Sequence, residues 1–243
     1  MSELSVASWN IGIHQQAKRA GAIAQQIAKN KPQVGILIEV SNETALKKAL
    51  NDAIGTNYIL ETVSHRNQYQ DGIGLLVVGG TCQVIEAPQA IGPVGTEIPY
   101  FLRTELATPI GRVALAGMHA DWSPLNFQQR KEQYQTAIEV TGGDATNALV
   151  AGDFNTFRPI HEWQFRKAGF KRLTPYRKTW PDGDLQSVDP DYLGLTNTLV
   201  KLHLGFGLDA IYGKGDFVTG HKQRVFTGVS DHAYIATNLS KAS

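Results

Sequence analysis

Short apolar runs that end abruptly in a polar residue recur along this chain of 243 residues. The run Val34–Ile38 ends at Glu39, the run Ala148–Ala151 leads through a glycine to Asp153, and the first alternating segment ends at Asn10. Runs of this length and pattern predict β-strands, and polar side chains at strand ends commonly form functional sites. These runs therefore constrain both the fold and the position of a site.

Helical periodicity separates several of these strands. Apolar spacing predicts helices near 15–29, 43–53, 127–140 and 160–168, and strands at 4–9, 34–38, 58–63, 73–78, 82–86, 100–106, 112–118, 148–151, 208–212, 216–218 and 233–237. The segment 174–207 has neither periodicity, and a loop of that length in a compact domain is commonly functional. This order of elements indicates an α/β protein whose sheets are flanked by helices.

Charge and cysteine content narrow the classes of protein. The 23 Lys+Arg and 22 Asp+Glu residues leave a net charge of +1, which argues against coating nucleic acid by bulk electrostatics. The single cysteine, Cys82, excludes an internal disulfide framework and a cysteine-based metal cluster. The chain has no signal-like start, no stretch near the ~18 apolar residues of a membrane span and no flexible linker. We expect one domain, residues 1–243, in a monomeric cytoplasmic protein without membrane binding.

A basic stretch lies directly after Asp153. Between positions 158 and 178 one acidic residue accompanies seven basic ones: Arg158, Arg166, Lys167, Lys171, Arg172, Arg177 and Lys178. Basic residues concentrated beside a site can contact a phosphate backbone. The alternative interpretation is a solvated helix face and loop.

The polar residues at strand ends belong to an ordered set of motifs. These are Ser8-Trp9-Asn10, Ile38-Glu39-Val40, His119, Gly152-Asp153-Phe154-Asn155, Leu208-Asp209-Ala210-Ile211 and Ser230-Asp231-His232. Carboxylates suit a hard cation, histidines suit proton transfer, and amides can donate to phosphate oxygens. Phosphoryl transfer depends on such positioning and charge stabilisation, so the set predicts a metal-dependent phosphoesterase.

This ordered set resembles the endonuclease/exonuclease/phosphatase superfamily, which includes deoxyribonuclease I, AP endonucleases, sphingomyelinases and inositol polyphosphate phosphatases. The resemblance covers nearly the whole chain. It implies a deoxyribonuclease I-like four-layer α/β/β/α sandwich with the site at one end. It also implies Mg²⁺ as the cofactor, with Mn²⁺ as a substitute, held mainly by Glu39 with Asn10 and Asp231 nearby.

The same resemblance implies catalytic roles for five residues. His232 would pair with Asp209, whose carboxylate fixes the ring tautomer and favours the charged form. The general base is either Asp153 or His232, and His232 otherwise holds the phosphate. Asn155 would donate to a phosphoryl oxygen. His119 would stabilise developing negative charge or protonate the leaving oxygen.

A narrower resemblance to deoxyribonuclease I lies at Arg66-Asn67-Gln68-Tyr69-Gln70-Asp71, ahead of a predicted strand. On that match Asp71 would orient His119. Arg66 and Tyr69 would contact a nucleic-acid groove, together with Arg158 of the basic stretch. The alternative is a polar turn between two strands.

The sequence therefore predicts an Mg²⁺-dependent phosphodiester hydrolase, foremost a nuclease that acts on DNA by metal-assisted attack of water on phosphate. One alternative is a phosphomonoesterase or lipid-headgroup phosphodiesterase that uses the same residues. Another is a catalytically silent binding module, although the intact set of motif residues speaks against it. The sequence does not distinguish a DNA substrate from an RNA substrate, nor an endonuclease from an exonuclease.

Overall fold

Two mixed β-sheets packed face to face, with helices on their outer faces, form the fold. The computed structural model describes residues 2–64, 72–92, 101–121, 127–142, 147–155, 160–175, 178–181 and 206–242. The arrangement confirms the predicted α/β/β/α sandwich. No helix in these ranges is long and apolar enough to cross a bilayer.

The first sheet brings the first and last strands of the described chain together. Its strands are β1 (Glu3–Asn10), β2 (Val34–Ile38), β3 (Tyr58–Ser64), β4 (Gly72–Val78), β11 (Phe217–Val225) and β12 (Tyr234–Lys241). They follow the order β11-β12-β1-β2-β4-β3, with β1 parallel to β2 and antiparallel to β12. Helices α1 (Gln16–Asn30) and α2 (Glu43–Ile54) cover this sheet.

The second sheet is built from the middle of the chain. Its strands are β5 (Gln83–Ile91), β6 (Phe101–Thr108), β7 (Gly111–His119), β8 (Asn147–Asp153), β9 (Lys171–Arg172) and β10 (Asp209–Lys214). They follow the order β5-β6-β7-β8-β10-β9, and β7 is parallel to β8. Helices α3 (Phe127–Gly142) and α4 (Ile160–Lys167) cover the outer face.

Apolar side chains fill three separate layers. The layer between the sheets includes Ile36, Leu75, Leu115 and Leu149, each at most 1% exposed. A second layer lies under α1 and α2, and a third, rich in aromatic rings, lies under α3 and α4. Full burial of one such side chain contributes roughly 1.5–3 kcal/mol. The inter-sheet layer therefore fixes how the two sheets face each other.

Most predicted elements are confirmed within a few residues, and the differences have local causes. Strand β11 was predicted for 216–218 but continues to Val225, because it is a largely exposed edge strand whose polar residues show no apolar alternation. Backbone pairing with β12 forms it instead. The short strand β9 and a bridge between Trp180 and Phe206 were not predicted.

The ends of the parallel strand pairs lie at one end of the sandwich. In the first sheet Asn10 is opposite Ile38, the residue before Glu39. In the second sheet Asp153 is opposite His119 on one side and Asp209 on the other. The register of both sheets therefore gathers the motif residues at this end.

Gly152 allows the site end of β8 to form. It pairs with Met118 on the neighbouring strand and has a φ of 153°, in a region that side chains rarely adopt. A Cβ at this position would lie 1.9 Å from the Met118 carbonyl oxygen. The Cβ would be bonded directly to one paired strand and the carbonyl belongs to the other, so neither atom can move without breaking the ladder.

We expect Gly152→Ala to lower the free energy of unfolding by at least about 3 kcal/mol, because the clash lies between two paired backbones. Urea denaturation followed by circular dichroism measures this change. Gly21→Ala is the matched control, since Gly21 is exposed in α1 with no atom within 4 Å of the added Cβ. The free energy of unfolding of that control should rise by up to about 1 kcal/mol, because alanine has a higher helix propensity than glycine. Equal stability of the two variants would contradict the explanation.

Candidate active site

Polar side chains from both sheets form one continuous series of contacts at this end of the sandwich. In spatial order the series is His119, Glu39, Asn10, Asp153, His232 and Asp209. Each neighbouring pair is joined at 3.7 Å or less. Six of the eight residues predicted for catalysis or metal binding thus contact one another in a row.

Asn10 is the centre of the series. Its Nδ2 donates to Oε1 of Glu39 at 2.9 Å and to Oδ2 of Asp153 at 3.1 Å. Its Oδ1 accepts the Gly12 N–H at 3.0 Å, and the residue is 1% exposed. Both amide protons therefore have acceptors, and one nitrogen holds two carboxylates that come from different sheets.

Glu39 is in contact on both carboxylate oxygens. Its Oε2 accepts the Ile13 N–H at 3.1 Å, and its Oε1 lies 3.6 Å from Nε2 of His119. The backbone of Glu39 has a φ of 63°, in the left-handed region. A residue with a Cβ in that region is strained by roughly 1–2 kcal/mol, so neighbouring contacts must hold it.

The buried side chain of Gln16 supplies those contacts. Its Nε2 donates to the Glu39 carbonyl at 2.8 Å and to the Gly12 carbonyl at 2.9 Å. Its Oε1 accepts the N–H groups of Ser41 and Asn42, each at 2.8 Å. One amide at the start of α1 thus fixes the backbone on both sides of Glu39.

His232 lies between two acids. Its Nδ1 is 2.9 Å from Oδ2 of Asp209, and its Nε2 is 3.7 Å from Oδ2 of Asp153. Burial alone would lower the pKa of His232, but the charges of Asp209 and Asp153 outweigh it, and the pKa is raised well above 6.5. The two acids therefore favour the charged form of the imidazole.

Asp209 is fully buried beneath this histidine. Burial raises its pKa above 3.8, while the charge of His232 acts in the opposite direction. Its N–H donates to Oγ1 of Thr179 at 3.0 Å, and its carbonyl accepts from Nη2 of Arg172 at 3.0 Å. Among the described residues, its Oδ1 has no hydrogen-bond partner. Asp209 thus orients the ring of His232 from below.

Arg19 ties together the two loops that carry site residues. Its guanidinium donates to the carbonyls of Ile11, Gly12 and His14, which follow Asn10 in the chain. It also donates to the carbonyl of Val229, in the loop before His232. A planar guanidinium with five N–H groups can serve four carbonyls, which the three donors of a lysine ammonium cannot do.

Asp231 and Asn155 have other contacts in addition to their predicted roles. Oδ2 of Asp231 accepts from Nε1 of Trp180 at 2.9 Å. The ring of Trp180 lies 6.4 Å from that of His232. Nδ2 of Asn155 donates to the Ala120 carbonyl at 2.9 Å, which leaves its second amide proton for another acceptor. The predicted roles of both residues stay predictions.

Four predicted residues lie outside the described ranges: Arg66, Tyr69, Asp71 and Arg158. Sequence reasoning did not foresee the site contacts of five residues: Gln16, Arg19, Thr179, Trp180 and Ser230. Ser230 was part of a predicted motif without a role of its own, and Gln16 precedes the buried apolar residues of α1 at their helical spacing. Ser230 contributes through its hydroxyl, which donates to the Asn10 carbonyl and accepts the His232 N–H.

Two groups of side chains are candidates for holding a cation. Ligand atoms of Asp153, Asp209 and His232 lie within 4.8 Å of one another. In this group the two nitrogens of His232 already face Asp209 at 2.9 Å and Asp153 at 3.7 Å, and the charged form of the ring, which these acids favour, cannot bind a cation. The second group is Glu39 and Asp153, two carboxylates held at the single amide of Asn10. Its oxygen donors fit a hard divalent cation, which would also relieve their mutual repulsion.

Comparisons with known proteins agree with the fold and the motifs. A model of the endonuclease/exonuclease/phosphatase family matches residues 7–232. No curated protein matches the chain in sequence. Similar solved structures include D. rerio TDP2 complexed with a single-strand DNA product, which is 16% identical with a TM-score of 0.77 over 99% of this chain and 100% of that chain.

Two further solved structures are similar over nearly their whole length. The catalytic domain of human Nocturnin with a bound sulfate anion is 15% identical, with a TM-score of 0.72 over 99% of this chain and 94% of that chain. A protein of the same family from Leptotrichia buccalis C-1013-b is 15% identical, with a TM-score of 0.73 over 98% and 99%. At these identities the likeness concerns the fold alone.

We expect Asn10→Asp to lower the free energy of unfolding in EDTA by about 3 kcal/mol, because the change removes both donors and adds a third carboxylate. Added Mg²⁺ should recover part of this loss. Urea denaturation with and without Mg²⁺ measures both effects. Asn51→Asp is the control, since the exposed Asn51 oxygen only accepts from the Tyr58 hydroxyl, which aspartate preserves. A loss at Asn10 no larger than at Asn51 would contradict its central role.

Proposed function

The chain belongs to the endonuclease/exonuclease/phosphatase family, and on that premise we propose that it is a metal-dependent phosphodiesterase acting on nucleic acid, DNA foremost. The observation that carries the proposal is the continuous series from His119 to Asp209. It combines carboxylates for a cation, a proton acceptor and charged donors in one cluster. These are the groups that hydrolysis of a phosphate ester requires.

Glu39, Asp153 and Asn10 are the residues that would hold the cation, with Mg²⁺ as the native ion and Mn²⁺ as a substitute. When bound, such a cation polarises the phosphate and makes water more acidic. The left-handed backbone of Glu39, held by Gln16, keeps the carboxylate in place before any cation arrives. Asp231 is a further ligand in this proposal, through a water or directly.

Asp153 is the proposed general base. Its Oδ2 accepts from Asn10 within the proposed cation site and lies 3.7 Å from Nε2 of His232, so a water beside the cation can lose a proton to this carboxylate. His232 has the complementary role. With carboxylates at both nitrogens, it is a poor proton acceptor and a good cationic donor to a phosphate oxygen.

His119 and Asn155 are proposed to contact the other phosphate oxygens. His119 lies at the Glu39 end of the series, opposite to His232, so the two histidines can approach a phosphate from different sides. Asn155 follows Asp153, whose Oδ1 accepts the Asn155 N–H at 2.9 Å. Its second amide proton can stabilise negative charge without adding a positive one.

Nucleic acid is the favoured substrate class for two reasons. TDP2 of D. rerio, which has a similar fold, has been solved with a single-strand DNA product. In this chain Arg166, Lys167 and Lys171 are exposed on the segment that follows Asp153 and Asn155. Exposed cations contribute affinity for a polyanion, although Lys171 pairs with Gly213, toward the end of β10 away from Asp209.

The first test is cleavage of supercoiled plasmid, single-stranded DNA and RNA with Mg²⁺ or Mn²⁺, with and without EDTA. Asp153→Asn and His232→Ala should each lower kcat by ~10²-fold or more, because each removes a group engaged in proton transfer or charge stabilisation. The matched controls are Asp216→Asn and His221→Ala, at exposed positions of the turn before β11 and of β11 itself.

Cleavage that EDTA abolishes, and that the site variants lose while the controls retain it, would support the proposal. Release of inorganic phosphate from inositol phosphates or nucleotides, with every nucleic acid intact, would replace it by a phosphomonoesterase. Hydrolysis of lipid headgroups alone would indicate a headgroup phosphodiesterase. Binding of a partner without any turnover would indicate a silent binding module.

Glu39→Gln should raise the Mg²⁺ concentration for half-maximal activity by about tenfold or more, because it removes the charge of a proposed ligand and keeps its shape. Mn²⁺ binding followed by electron paramagnetic resonance should weaken in parallel, which tests the site independently of turnover. Glu61→Gln, at an exposed position of β3, is the control. Unchanged Mn²⁺ affinity in Glu39→Gln would remove Glu39 from the cation site.

A further inference from the structure

A basic and aromatic cluster lies beside the proposed site and has no part in the chemistry described above. It consists of Lys178, Arg224 and Phe226. We propose that this cluster binds a phosphate that flanks the scissile phosphate, so that the protein distinguishes an oligonucleotide from a simple phosphodiester. The inference rests on the proposed function and deepens it.

The cluster holds two cations against one ring. Nζ of Lys178 lies 5.7 Å and Cζ of Arg224 lies 5.1 Å from the centroid of Phe226. Nη1 of Arg224 also donates to the Lys178 carbonyl at 2.7 Å, which fixes the guanidinium relative to the lysine backbone. Two cationic groups are thus held close together, at a separation from which both can contact one phosphate.

The backbone places this cluster next to His232 from two directions. Thr179 directly follows Lys178. Its hydroxyl oxygen accepts the Asp209 N–H, and its carbonyl accepts the Ala233 N–H. Trp180, one residue further, contacts Asp231. In an extended segment Lys178 and Trp180 project to the same side about 7 Å apart. Lys178 therefore lies next to Trp180, which contacts Asp231 of the proposed site.

Strand β11 brings Arg224 and Phe226 to the same place. Arg224 pairs with Ile235 of β12, close to His232 in the chain. Phe226 begins the loop that leads to Ser230, whose hydroxyl supports both Asn10 and His232. The site end of this edge strand thus carries cationic side chains up to the rim of the proposed site.

Burial and chemistry suit a phosphate. Lys178, Arg224 and Phe226 are each half-buried, so each retains accessible surface while packing fixes its position. A guanidinium already held by a carbonyl loses little freedom on binding, and its planar fork matches phosphate oxygens. Contacts to a flanking phosphate are made equally in the ground and transition states, so they should affect KM and leave kcat unchanged.

The test compares two substrates in Arg224→Gln and Lys178→Gln. With a short single-stranded oligonucleotide, each variant should raise KM by roughly tenfold, keep kcat within about twofold, and reduce the slope of log(kcat/KM) against log[salt] by about one. With bis(p-nitrophenyl) phosphate, which has no flanking phosphate, neither constant should change. Lys241→Gln removes one exposed charge from the far end of β12 and should change nothing.

Unchanged KM and salt slope for the oligonucleotide would overturn the inference, and equal losses on both substrates would mean that the cluster is only structural. If the wild type hydrolyses neither substrate, the proposed function fails on its own. Fluorescence anisotropy of a labelled oligonucleotide then still decides the inference. The two variants must weaken binding and lower its salt slope relative to Lys241→Gln, and equal affinity would refute it.

Discussion

The amide of Asn10 is the contact on which the rest of the site depends. It is neutral, it is buried, and its two protons serve Glu39 from one sheet and Asp153 from the other. In a low-dielectric interior, two carboxylates at one point are costly unless donors or a cation compensate them. A single side chain therefore joins the two sheets at this end and marks the place where positive charge is favoured.

A second layer of contacts keeps this arrangement rigid. Gln16 and Arg19 both belong to the first turns of α1, yet they hold different loops. Gln16 fixes the strained backbone of Glu39, and Arg19 joins the loop after Asn10 to the loop before His232. Side chains whose hydrogen bonds are already satisfied in this way do not have to reorganise when charge develops beside them.

The sequence was sufficient for the fold and for the places where strands end, because both depend on local apolar runs and on motifs of the family. Glu39 and Asp153 were found in that way. The sequence did not predict the hydrogen bond between Asn10 and Asp153. These residues lie 143 positions apart in the chain, and no local sequence pattern indicates a contact between such distant positions. Arg19 was missed because bonds to backbone carbonyls leave no pattern in the sequence. The length of strand β11 was underestimated, because its pairing with β12 forms the strand and its own composition shows no strand pattern.

The pairing of β12 with β1 has a consequence for when the chain acquires its chemistry. Asn10 and Glu39 are made early in synthesis, whereas His232 takes its position only when residues 234–241 align against the first strand. Until β12 pairs with β1, the acids lack their contact with the imidazole. The series of polar side chains is therefore complete only after both the first and the last described strands have been made and have come together.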